Sequence, residues 1–229
     1  MKPSAAEAAS AAHEHEFEAT HGLPEALPAG EHILWQGGPD WWALACHAFH
    51  VRQLAAYFAA MLALRAAFVV SEGGSAGDAA AAALWLLPLA LFALATLVVL
   101  ARLSARTTVY TLTNRRVVMR VGIVLTLTFN LPLRRLAGAG LREDAATGIG
   151  DIPMQLAGRE KVAYVHLWPH ARPWRAARPE PMLRCIPHVR EVAGLLAATW
   201  SAETGVTPQP LPAAQVAGEV RTRAEAQLA

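Results

Sequence analysis

The chain has 229 residues, of which 54% are hydrophobic and only 17% charged, a balance that points away from an ordinary soluble domain and toward membrane segments. A net charge of +2 supplies no polycationic surface for nucleic acid, and two cysteines, Cys46 and Cys185, cannot build a disulfide framework. The first 30 residues contain no apolar stretch of the secretory type.

Residues 1–20 are rich in alanine and glutamate, carry His13 and His15 within HEHEFE, and read as a disordered tail. Residues 21–50 read as a cytoplasmic juxtamembrane segment. Glycines and prolines bracket the apolar run Ile33–Trp35, expected as a brief strand or docking segment. Trp41, Trp42 and Phe49 fall where the bilayer surface should lie, and DWWALACHAFHVR has the look of an interfacial helix. Whether residues 41–49 enter the bilayer as a third membrane element stays open.

The first membrane helix is expected over residues 51–70. Its one internal charge, Arg65, lies about five residues, or roughly 8 Å, from the end of the span. The side chain can snorkel to the far interface, or it can contact an acidic group on a partner helix. Residues 71–78, SEGGSAGD, are expected as a short periplasmic loop. The second helix, 79–101, has no charge in 23 residues and would span roughly 35 Å, more than the ~30 Å of a bilayer core. Pro88 within it is tolerated in lipid as a kink. Arg52 precedes the hairpin, and Arg102, Arg106, Arg115 and Arg116 follow it as juxtamembrane basic residues. The loop between the helices has no lysine or arginine. The asymmetry puts both termini in the cytoplasm of a bacterial inner (cytoplasmic or intracytoplasmic) membrane.

From residue 106 the period changes from helical to alternating. TTVYTLT, VVMRVG, IVLTLTFNLPL, LAGAGLRED, GIGDIPMQLAG and KVAYVHLW read as consecutive short strands separated by turn residues. A helix over about His188–Trp200 closes the unit, and residues 201–229 form a flexible tail. The fold class is α+β: a two-helix transmembrane hairpin, then a β half-barrel of pleckstrin-homology (PH) type over 106–200 capped by a C-terminal helix.

The stretch YVHLWPHARPWRAARPEPMLRC, Tyr164–Cys185, concentrates the chemistry. His166, His170, Cys185 and His188 lack the paired spacing of a metal site. No nucleophile elbow, phosphate loop or dinucleotide fingerprint occurs anywhere in the chain. Arginines interleaved with tryptophans suit single-stranded nucleic acid, but prolines and a glutamate dilute them and the domain is tethered to a membrane. Two readings stay open. In one, Trp168, His170, Arg172, Trp174, Arg175 and Arg178 form a partner-docking loop, since Trp and Arg are enriched at interface hot spots. In the other, the tryptophans fill the domain's own core and the arginines are solvated or meet anionic headgroups.

TTVYTLTNRRVVMR resembles the bacterial PH-like membrane domains, which carry a Y-x-[IL]-T-[ND]-x-R run. FEATHGLPEALPAGEHILWQGGPDW, LTNRRVVMRVGI, FNLPLRRLA and YVHLWPHARPWRAARPEPMLRCIP are further similar to the photosynthetic complex assembly (PuhB) family of purple phototrophic bacteria, over His15 to Trp200. That resemblance implies a non-catalytic assembly factor for the photosynthetic reaction centre, without a cofactor. It also implies action beside the reaction-centre H subunit, contact with the lipid bilayer and self-association as a homodimer. The alternative is a general membrane-anchored PH-like module for lipid sensing or membrane stress.

Overall fold

A computed structural model describes residues 22–158, 163–175 and 177–206. The readings made for the N-terminal tail and for most of the C-terminal tail lie outside these residues.

The chain enters as strand β1 (Ile33–Gly37), helix α1 (Trp41–His47), and the long helices α2 (Val51–Ser71) and α3 (Ala76–Thr107). Asp40 caps α1, its side chain accepting from the Ala43 amide at 2.7 Å. A capping box formed by Ser75 and Asp78 starts α3. At 21 and 32 residues, α2 and α3 are each long and apolar enough to cross a membrane. They pack against one another as a hairpin, and their outward faces expose Leu64, Phe68, Trp85, Leu89 and Phe92. The far end of α3 behaves differently. Ala101 is fully buried against Ala43, Leu44 and Phe49, so the last turns of α3 are held by α1.

After α3 come β2 (Val109–Thr113), β3 (Arg116–Val121), β4 (Leu127–Pro132), a single 3₁₀ turn (Leu133–Arg135), β5 (Leu136–Ala139), β6 (Arg142–Glu143) and β7 (Gly150–Leu156). A short helix α4 (Tyr164–Leu167), β8 (Met182–Ile186) and α5 (Val189–Thr204) complete the domain. The strands form two antiparallel sheets: β1-β2-β3-β4, and a second in which β5, β6 and β8 all pair with β7. Tyr110, Leu112, Val117 and Met119 from the first sheet meet Ile152, Met154, Leu183 and Ile186 from the second. Val189, Val192 and Leu196 of α5 close the core. Burying each such side chain is worth roughly 1.5–3 kcal/mol.

The structure moves the domain boundary expected at residue 106. β1 pairs with β2 in the register Gln36↔Thr111 and Gly37↔Tyr110, so residues on both sides of the helical hairpin share one sheet. The segment read as juxtamembrane, 21–50, thus contributes a strand to the β domain. β1 reaches α1 through Gly38, where a Cβ would sit 2.9 Å from the Thr108 carbonyl; only glycine lets the chain pass the end of α3 this closely.

Two strand readings are corrected. KVAYVHLW, taken as a strand, turns into α4 at Tyr164 (residues 159–162 lie outside the described set), because Leu167 is buried by a helical turn that then breaks at Trp168–Pro169. IVLTLTFNLPL is strand only from Leu127; Ile123–Thr126 forms the tip of the β3–β4 hairpin.

Candidate docking loop and its buried polar junction

The Trp/Arg stretch leaves the domain as a closed excursion. Ala171 and Pro181 form an isolated β-bridge, the Arg172 amide donates to the Glu180 carbonyl at 2.9 Å, and the Met182 amide donates to the His170 carbonyl at 2.9 Å. Inside this base, Glu180 is almost wholly buried and takes two arginines. Arg172 Nη1 lies 2.9 Å from Oε2, and Arg175 Nη1 lies 3.4 Å from Oε1. Trp174 stands at the apex, 89% exposed, in a left-handed conformation with φ 64. Arg178 is also exposed. Trp168 is 51% exposed and packs edge-on against Phe49, ring centroids 5.3 Å apart. The loop therefore divides: Trp174 and Arg178 face out, Arg172 and Arg175 hold Glu180, and Trp168 bridges to the chain just before α2.

His170 does not belong to the docking surface where the sequence put it. It is 1% exposed, because it sits beneath the loop between the end of α3 and β2. Tyr110 Oη lies 2.6 Å from its Nδ1 and Thr108 Oγ1 lies 3.1 Å from its Nε2. The proton positions follow from the partners. The Thr108 hydroxyl donates its only proton to the Ser104 carbonyl at 2.7 Å, so it must accept from Nε2–H. Nδ1 is then the acceptor of the Tyr110 hydroxyl proton, and the Tyr110 oxygen accepts from the Arg184 amide at 3.3 Å. Burial, with Arg184 nearby, pulls the imidazole down to about 3, so it stays neutral at ordinary pH. Burial pushes the Tyr110 hydroxyl well above its ordinary value.

Arg184, which the sequence reading grouped only with the interleaved arginines and not with the docking set, completes the junction. It lies on β8 with its guanidinium buried. Nη1 donates to the Pro169 carbonyl at 2.7 Å and Nη2 to the His47 carbonyl at 2.8 Å. Among the described residues its Nε is the one buried side-chain polar atom without a partner. The next residue binds the other end of α1: the Cys185 carbonyl accepts from the Asp40 amide at 2.8 Å, while the Cys185 amide donates to Asp151 Oδ1 at 2.9 Å. Two adjacent residues of β8 thus tie down both ends of a seven-residue helix. Burial, with Asp151 adding to it, pushes the Cys185 thiol up to about 12, which leaves it without thiolate character. Among the described residues no three His, Cys, Asp or Glu side chains gather as a metal site.

Residues 50–200 match the family model described as bacterial PH domain. The chain belongs to the bacterial PH domain family. It is also 37% identical over 184 residues, 80% of this chain and 86% of the other, to a Rhodobacter capsulatus protein described as "Uncharacterized 23.7 kDa protein in puhA 5'region". No solved structure matches.

In this bacterial PH domain the basic residues grouped by the sequence fall into two sets. Arg52, Arg102 and Arg106 are exposed near the ends of α2 and α3 that adjoin the sheets, and the Arg102 guanidinium lies 5.1 Å over the Trp41 ring. Arg115 and Arg116 lie apart from the helix ends. β2 carries the chain away from α3, so the turn that holds them lies roughly 20 Å from Thr108. There Arg116 pairs with Glu31 at 2.6 Å and organises the approach to β1. Arg65 lies exposed on α2.

Proposed function

We propose that this bacterial PH domain protein is a non-catalytic assembly factor for the photosynthetic reaction centre of a purple bacterium. The α2–α3 hairpin is embedded in the inner membrane, and both termini and the β domain are cytoplasmic. The observation that carries the reading is the 37% identity, over most of both chains, to a protein whose name places its gene beside puhA, a link to reaction-centre genes. The blocks similar to the PuhB family support the same assignment. So does the geometry of the Trp/Arg loop: Trp174 is presented on a loop whose base is closed by hydrogen bonds and ion pairs, so little ordering cost remains when a partner binds.

In this mechanism the loop holds a reaction-centre subunit, the H subunit first, at the membrane surface. The exposed alanine-rich hairpin packs against partner helices. Arg65 meets an acidic residue there. Self-association as a homodimer assists this templating.

The test is an affinity pull-down of the tagged protein from membranes of phototrophically growing cells, with the wild type and with Trp174→Ala/Arg175→Ala. Reaction-centre subunits should accompany the wild type and be lost with the variant. Equal recovery would move the partner surface to the hairpin. Absence of these subunits from both would favour the lipid-sensing reading. Deletion of the gene should lower reaction-centre yield and leave the absorption spectrum of the remaining centres unchanged.

A further inference from the structure

The tip of the β3–β4 hairpin is apolar where a turn is ordinarily polar. Its sequence is Gly-Ile-Val-Leu-Thr, from Gly122 to Thr126, without an Asn, Asp, Ser or Pro. Val124 is 90% exposed and Leu125 80%, with Ile123 and Leu127 also exposed beside them. The shape is fixed by Gly122, which has φ 123; a Cβ there would lie 2.0 Å from the Leu125 carbonyl oxygen. The chain thus presents three consecutive large aliphatic side chains on a tight turn, of which Val124 and Leu125 are almost uncovered by the described residues.

The strand register says which way this tip points. Val109, the first residue of β2, pairs with Arg120, the penultimate residue of β3. β2 leads away from α3, so antiparallel β3 returns toward it, and β3 lies against α3. From Arg120 the chain continues past the level of Thr108 to an apex at Val124, a reach of about 10 Å at ~3.3 Å per residue. Along α3 the distance from Thr107 back to Arg102 is about 8 Å. Arg102 is where a cation lies over Trp41, with Trp42 exposed alongside. An arginine and two tryptophans mark the depth at which a helix leaves a bilayer. The aliphatic tip and this aromatic, cationic belt therefore lie at the same end of the domain.

We infer that the β3–β4 tip, Ile123–Val124–Leu125, inserts into the lipid bilayer beside α3 as an additional attachment point of the β domain. This rests on the reading that α2 and α3 are embedded. The occupant is lipid because β3 lies against α3, a helix long and apolar enough to cross a membrane, and the tip lies at the end of the domain that carries the Arg102–Trp41 pair. The helices and the domain are joined rigidly at the Thr108 junction, so a helical hairpin alone leaves the two free to tilt together in the bilayer. A further contact, set apart from the helices, fixes that tilt and hence the direction in which the Trp174 loop faces.

The experiment uses the full chain reconstituted in phosphatidylcholine/phosphatidylglycerol vesicles, in a Cys46→Ser background. An environment-sensitive fluorophore is placed on Val124→Cys, on Arg115→Cys at the opposite end of the sheet, or on Leu86→Cys within α3. All three positions are exposed in the fold, so labelling leaves the core intact. Quenching by lipids that carry a nitroxide in the upper acyl chain should be several-fold stronger at 124 than at 115, with a blue-shifted emission at 124. Quenching at 86 with an aqueous signal at 124 equal to that at 115 would overturn the inserted tip while leaving the embedded hairpin standing. An aqueous signal at 86 as well would overturn the embedded hairpin itself. If the label at 124 stays aqueous in lipid and becomes shielded only when solubilised reaction-centre subunits are added, the tip binds protein and the inference fails.

Discussion

The imidazole Nε2 of His170 lies 3.1 Å from the hydroxyl of Thr108, the residue at which helix α3 gives way to strand β2. The base of the Trp/Arg loop is therefore bonded directly to the point where the helical hairpin enters the sheet. Arg184 and Cys185 extend this connection to both ends of α1. The loop, α1, the end of α3 and the second sheet meet at one polar junction, almost every group of which is satisfied. In a low-dielectric setting such a network specifies one arrangement, since any displacement leaves a buried group unpaired.

His170 makes the stability of the domain depend on acid. Its folded value, about 3, lies below the ordinary 6.5, so the unfolded chain binds a proton that the folded one refuses. The stabilisation is complete above pH 6.5. It falls by about 1.4 kcal/mol per pH unit as pH drops from there toward 3. His170→Phe keeps a ring in the cavity but leaves the Tyr110 hydroxyl proton without an acceptor, costing about 1–3 kcal/mol at pH 7.5. Its stability should then decline less steeply on acidification than that of the wild type. Thermal unfolding in detergent from pH 7.5 to 4.5 measures both, and parallel curves would refute the buried neutral imidazole.

Arg184→Met keeps the aliphatic stem and removes the guanidinium, leaving the Pro169 and His47 carbonyls without donors. Each lost charge-assisted bond is worth about 1.5–3 kcal/mol. The effect should be local. Amide hydrogen exchange should rise across Trp41–His47 and at the loop base, while Val189–Thr204, held by the main core, keeps its protection. Unchanged exchange in α1 would mean that apolar packing against Ala101 holds that helix without Arg184.

These features were unevenly legible in the sequence. The apolar spans and the alternation of TTVYTLT announce themselves locally, because a long uncharged run and a half-buried strand each leave their pattern in consecutive residues. β8 did not, since MLRCI is buried on every side and contains an arginine, a residue that signals surface unless carbonyls wait for it. His170 was misread for the reverse reason. Its neighbours Arg172 and Trp174 are surface residues, and only the long-range contacts with Tyr110 and Thr108, about 60 residues earlier, place it inside. β1 was recognisable as a short apolar run, but its partner lies beyond both long helices, a pairing that no local pattern encodes.

Glu180 tests whether the loop's shape, and not only its side chains, serves binding. Its carboxylate is the shared acceptor of Arg172 and Arg175 on either side of the Trp174 apex. In Glu180→Ala both arginines are freed to water, which they already touch, so the domain should lose no more than about 1 kcal/mol of stability. The loop would then have to be ordered on binding, at about 0.5–1.5 kcal/mol for each side chain newly immobilised. Affinity for a solubilised reaction-centre subunit should fall by roughly tenfold. Trp174→Ala removes the anchor itself and should cost about 2 kcal/mol or more, with no loss of stability, as the ring is 89% exposed. Titration of both variants against the same subunit separates the two contributions. Wild-type affinity in Glu180→Ala beside weakened binding in Trp174→Ala would show that the indole acts without a preformed loop.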